Sequence, residues 1–206
     1  MKCAKQVSLL VLVVVALTAC TTPEHRNAFQ NDSTWAMLPF QKVNDANPIL
    51  KADTGIFNCP ILQQDVRWEE KDVFNPAAVV RNGAIYLFYR AEDIIGKYNG
   101  TSRIGLGIST DGIHFSRLKT PVLYPAEDFM KVYEWEGGIE DPRIIENEMG
   151  TYIMTYTAYD GNMARLCVAS STDLLNWTKH GLVLKDKFID TWGKSGAIVG
   201  RQKGNQ

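Results

Sequence analysis

"RIGLGISTDGIHF" (residues 103–115) and "RLCVASSTDLLNW" (residues 165–177) are one pattern written twice, at an offset of 62. Arg103 falls on Arg165, Ser109-Thr110-Asp111 on Ser171-Thr172-Asp173, and Phe115 on Trp177. The apolar, partly β-branched half of each copy reads as a strand. The Ser-Thr-Asp reads as a hairpin turn in which Asp111 or Asp173 caps backbone N–H groups, and the aromatic four residues later is expected to pack between repeats. Both aspartates are therefore assigned to structure and not to catalysis.

The duplication extends upstream. "FNPAAVVRNGAIYLFY" (residues 74–89) matches "EDPRIIENEMGTYIMT" (residues 140–155) at an offset of 66, placing Asn75-Pro76 on Asp141-Pro142 and Tyr86 on Tyr152. The two offsets differ because the loop "RAEDIIGKYNGTS" (residues 90–102) is longer than its counterpart "YTAYDGNMA" (residues 156–164). No long window carries a helical period, so the chain is all-β. A multi-strand unit recurring every ~40–60 residues is the sequence form of a β-propeller blade. Residues 73–184 are thus expected to form two antiparallel sheets. A third copy starts at "KSGAIVGRQKGNQ" (residues 194–206). Propellers close with ~4–8 blades, so two to two and a half blades read as part of a longer ring. The alternative is a small open β-sandwich.

The formal charge of −1 leaves no basic footprint for nucleic acid. At the N-terminus, Lys2 and Lys5 precede the apolar run "VSLLVLVVVAL" (residues 7–17), which is too short for a permanent span. It ends in "LTAC", which resembles a bacterial lipoprotein signal with Cys20 as the lipidated residue; an ordinary secretory signal with a chance cysteine is the alternative. The expected organisation is a signal at 1–19, a tether and lead-in at 20–53 and an incomplete propeller domain at 54–206. The expected location is outside the cytoplasm, lipid-anchored to a bacterial membrane, the outer one by preference, and facing the periplasm or the cell surface. Of the four cysteines only Cys59 and Cys167 remain in the body of the domain, and no Cys/His spacing suggests a metal site or cofactor.

"GGIEDPRI" (residues 137–144) concentrates the chemistry. In a propeller the first strand of each blade lines the central channel. Proline suits a strand start, and it biases the residue before it towards an extended conformation. Asn75 and Asp141 therefore read as neighbours around one mouth, offering an amide and a carboxylate. On pattern alone two roles stay open for Asp141: a general acid, or a strand cap paired with Arg143.

Three ordered motifs, "FNPAAVVRNGAIYLFYRAED", "RIGLGISTDGIHF" and "GGIEDPRI", together resemble glycoside hydrolase family 130, the mannoside phosphorylases and mannosidases. The resemblance runs from Val73 to the end of the sequence. It implies a five-bladed β-propeller that cleaves β-mannosidic bonds with inversion. Asp141 would be the general acid, delivering its proton through a hydroxyl of the bound mannose. Asn75, Arg90, Asp93 and Arg103 fall where the family lines its mannose subsite, and Lys194 is a candidate cation of that site. For Arg103 and Arg165 a structural pair repeated in each blade is the alternative, preferred for Arg165. Tyr86 and Tyr152 are read as packing residues.

Three functional readings follow: a hydrolase, a phosphorylase with inorganic phosphate as co-substrate and mannose 1-phosphate as product, or a non-catalytic sugar-binding propeller. Export favours hydrolysis of β-mannosides, because conserving bond energy as a sugar phosphate benefits a cell that keeps the product. The expected partner is a β-mannoside oligosaccharide or glycan, with membrane contact only through the N-terminal lipid.

Overall fold

A computed structural model describes residues 42–199; the signal, Cys20 and most of the tether lie outside them. The described part of the lead-in is largely exposed and holds one 3-10 turn, Asn44–Ala46. Strands β1 (Ile56–Cys59) and β2 (Gln64–Arg67) form a separate hairpin.

The duplicated sequence folds as two meanders. The first is β3 (Asp72–Arg81), β4 (Ala84–Glu92), β5 (Ser102–Ser109) and the short β6 (Ser116–Arg117). After a one-turn helix, α1 (Lys131–Glu134), come β7 (Gly138–Glu146), β8 (Tyr152–Tyr159), β9 (Ala164–Ser171) and β10 (Thr178–Leu182). Within each meander all neighbours are antiparallel. The expected two sheets are not fully separate, because one parallel residue pair, Ser102 with Gly138, joins them into a single ladder. That joint needs glycine: Gly138 has φ +108°, and a Cβ there would overlap the backbone of Ser102.

The main core lies between the meanders. Phe88, Ile104 and Leu106 from the first face Ile139, Met154, Tyr156, Cys167 and Leu174 from the second. Side chains alternate across a strand. Thus Tyr89, next to Phe88, points to the other face and packs with Phe57, Val66 and Trp68 of the β1–β2 hairpin and its edge. Tyr152 is buried and Tyr86 half-buried in the main core, as packing residues.

The Ser-Thr-Asp turns form as the sequence suggests. Asp111 Oδ1 accepts the N–H groups of Ile113 and His114, and Asp173 Oδ1 those of Leu175 and Asn176. Trp177 meets Phe88 of the other meander edge-on, 5.6 Å between ring centroids. Its counterpart Phe115 instead lies over Gly107 in its own sheet.

Candidate active site

The site is built on two backbone irregularities at the same point of the repeat. β3 shifts register between Phe74 and Ala77, and β7 between Glu140 and Arg143. Asn75 and Asp141 sit in these bulges with φ of 48° and 51°. Left-handed backbone is uncommon outside glycine but enriched for Asn and Asp, and a bulge re-aims its side chain. Proline follows both, where the interrupted ladder leaves no N–H to miss. The expected extended conformation before proline is therefore not what positions these residues; the left-handed bulge is.

Asn75 Nδ2 donates to Asp141 Oδ1 at 2.6 Å, so the two repeat equivalents touch. Ser195 donates to the other carboxylate oxygen, Oδ2, at 3.2 Å, and has φ 55°. It occupies the same place in the third copy of the pattern, with Lys194-Ser195-Gly196 standing on Glu140-Asp141-Pro142. Two cations complete the shell: Lys194 Nζ at 3.4 Å from Oδ2 and an Arg90 guanidinium nitrogen at 3.6 Å from Oδ1. Arg143 does not pair with Asp141; it donates to the carbonyl of Pro142.

Arg90 is the hub. It bridges Asp141, Glu140 (3.0 Å) and Glu92, donates from Nε to Ser102 Oγ at 2.9 Å, and stacks over Phe74 at 4.6 Å. Lys194 also pairs with Glu140, and Lys71 with Glu92 at 3.1 Å. Three carboxylates thus face three cations. A polar pocket of about 80 Å³ opens among Lys71, Arg90, Glu92, Glu140, Tyr98 and Tyr159.

Asp141 is 3% exposed. Burial alone would raise its pKa, but the Asn75 amide, the charges of Lys194 and Arg90 and the Ser195 hydroxyl outweigh it and hold the carboxyl below its ordinary value. Glu92 is lowered in the same way: burial opposes, while Arg90, Lys71 and Ser102 prevail. The site as it stands is an ionised carboxylate ready to accept a hydroxyl, inside a charge-balanced ring of donors.

The structure brings Asn75, Arg90 and Lys194 to Asp141, but not Asp93 and Arg103. Those two form a buried pair at 2.6 Å, with Asp93 Oδ1 also accepting the N–H groups of Ile95 and Thr101. Asp160 and Arg165 repeat that arrangement in the second meander: a 2.7 Å pair, with Oδ1 accepting from Asn162 and Met163. Both are clamps that close the loop between the middle strands. Sequence reasoning missed Glu92, Glu140 and Ser195. The charged hairpin Glu92-Asp93 and the "KSG" overlay on "EDP" were the signals that could have found them.

Comparison with known proteins places this geometry. The profile of the glycoside hydrolase 130 family, described as beta-1,4-mannooligosaccharide phosphorylase, matches residues 41–204. A 1,2-beta-oligomannan phosphorylase of Thermoanaerobacter sp. strain X514 is 40% identical over 132 residues, 60% of this chain and 42% of the relative. The Beta-1,2-mannobiose phosphorylase of the same organism is 36% identical over 164 residues, covering 72% and 52%. A solved structure described with the statement that this family of mannoside phosphorylases contains glycoside hydrolases targeting beta-1,2 mannosidic linkages in Candida mannan superposes with a TM-score of 0.73. Its identity to this chain is 44%, and the match covers 78% of this chain and 47% of that one. The chain spans about half the length of the curated relatives it matches. It belongs to glycoside hydrolase family 130, with an all-β fold of the five-bladed propeller type.

Proposed function

We propose that the full-length protein cleaves β-mannosidic linkages with inversion, Asp141 acting as general acid and inorganic phosphate as the attacking group. The observation that carries this reading is the convergence on Asp141 of its repeat equivalents Asn75 and Ser195 with the cations Arg90 and Lys194. The ring of paired charges suits a mannose ring, whose hydroxyls both donate and accept. Both curated relatives carry phosphorylase names, which favours phosphorolysis over the hydrolysis that export suggested.

In its protonated form Asp141 gives its proton to the leaving oxygen by way of a sugar hydroxyl, while phosphate attacks the anomeric carbon from the opposite face of the ring, as inversion requires. Hydrolysis is the second reading, favoured by the statement attached to the solved relative. An inverting hydrolase needs a second carboxylate ~6.5–9.5 Å from the acid to activate water.

The deciding experiment follows the products of β-mannobiose with and without phosphate. Mannose 1-phosphate formed only with phosphate is expected. Free mannose formed at equal rate without phosphate selects hydrolysis, and no product in either case refutes the proposal. Lipid anchoring through Cys20 belongs to the same reading: Cys20→Ala should release the protein from the membrane fraction.

A further inference from the structure

A row of aromatic rings leads away from the acid. Tyr98 and Tyr159 line the polar pocket beside Arg90, Glu92 and Glu140. Their ring centroids lie 6.3 Å apart, and Trp192 stands 6.3 Å beyond Tyr159. None of the three belongs to either apolar cluster; Tyr98 and Tyr159 are half-buried and Trp192 is exposed. Single exposed aromatics are ordinary on protein surfaces. A row of three that starts at a polar pocket lined by Arg90 is not.

The row is a built feature. Tyr98 is carried on the loop that is longer in the first repeat than in the second. That loop is held by the Asp93–Arg103 clamp, by Lys97 N–H on Glu136 Oε2 at 2.9 Å and by Lys71 on the carbonyl of Asn99 at 2.7 Å. Across the gap, Gly161 (φ +95°) leaves the space the Tyr98 ring fills; a Cβ there would overlap the hydroxyl-bearing edge of the ring. Tyr159 is fixed by its hydroxyl, which donates to the carbonyl of Gly161 at 3.0 Å. Trp192 is only two residues from Lys194, which contacts Glu140 and Asp141.

Pyranose rings have an apolar C–H face that stacks on aromatic rings and a hydroxyl edge that seeks polar groups. The polar pocket meets the second need and the aromatic row the first. We infer that Tyr98, Tyr159 and Trp192 form a stacking platform for the mannosyl units of a β-mannooligosaccharide that lie beyond the bond at Asp141. The platform makes the enzyme prefer chains over disaccharides. The inference rests on the β-mannoside reading above.

Calorimetric titration of the full-length protein carrying Asp141→Asn, which slows turnover, tests it in phosphate-free buffer with β-mannobiose and β-mannotetraose. Adding Trp192→Ala or Tyr98→Ala should weaken tetraose binding about tenfold while changing mannobiose binding about fivefold less, in keeping with the energy of one aromatic contact. Trp192→Phe keeps a ring and should restore most of the tetraose affinity, which separates stacking from misfolding. Equal losses for both sugars, or none for either, overturn the platform while leaving the function standing. A wild-type enzyme that cleaves no β-mannoside overturns both.

Discussion

At Asp141 three side chains from the same place in successive repeats meet: Asn75 on one carboxylate oxygen, Ser195 on the other, and the acid between them. Each neighbour stabilises the ionised form, so each resists the role of acid. Removing one raises the pKa, and a general acid with a higher pKa stays protonated to higher pH. Asn75→Ala and Ser195→Ala should therefore move the alkaline limb of kcat/KM upward, at reduced overall rate. A uniform loss with an unmoved limb would leave them as packing residues. Asp141→Asn should lower kcat by roughly 10²–10⁴-fold with sugar binding retained. Asn75, Arg90 and Lys194 were legible in the sequence because they stand in motifs or in equivalent positions. Ser195 was not, because its copy shares little beyond backbone geometry with "EDP". The repeated Asp160–Arg165 pair could have warned that Asp93 and Arg103 stand as a clamp.

Among the strands and their connections, the turns and the alternation were readable, because each strand's apolar pattern and each Ser-Thr-Asp act locally. The joint at Ser102–Gly138 was not, since it depends on how closely two backbones approach. Nor was the network under α1. There Glu134, fully buried, accepts from Tyr156 at 2.9 Å and from Lys179 at 2.6 Å, tying the helix to β8 and β10. Burial pushes Glu134 up to about 7 despite Lys179 and the Tyr156 hydroxyl. Its native pKa thus exceeds the ordinary 4.5. The stabilisation from protonation is complete below that value and is lost as pH rises to about 7. Glu134→Gln mimics the protonated group, so its stability relative to the native protein should improve between those pH values and level off above them. Urea denaturation across that range checks this, and a flat difference would refute it. Phe88→Ala, which empties the centre of the core between the meanders, should cost about 3–5 kcal/mol in the same assay.

For the molecule as a whole, the repeat announced a propeller, and the match to relatives about twice as long agrees with a site shared among blades. Among the described residues, the carboxylates beside Asp141 are committed: Glu140 to Arg90 and Lys194, Glu92 to Arg90 and Lys71. Neither is free to prepare a nucleophile. Expressed as its 206 residues, the chain should release no free mannose from β-mannobiose without phosphate, because hydrolysis needs a free carboxylate to activate water. Release under those conditions would mean that a committed carboxylate serves after all.

The left-handed backbone at 75, 141 and 195 also limits which letters evolution can write around the acid. A conformation that strains most side chains by about 1–3 kcal/mol admits glycine and short polar residues cheaply and excludes β-branched ones. The backbone therefore restricts the chemical alphabet before selection for activity begins. A new specificity at these sockets would be sought among Asn, Asp, Ser and Gly. Ser195→Asn should fold as well as the native protein, while the β-branched Ser195→Val should not.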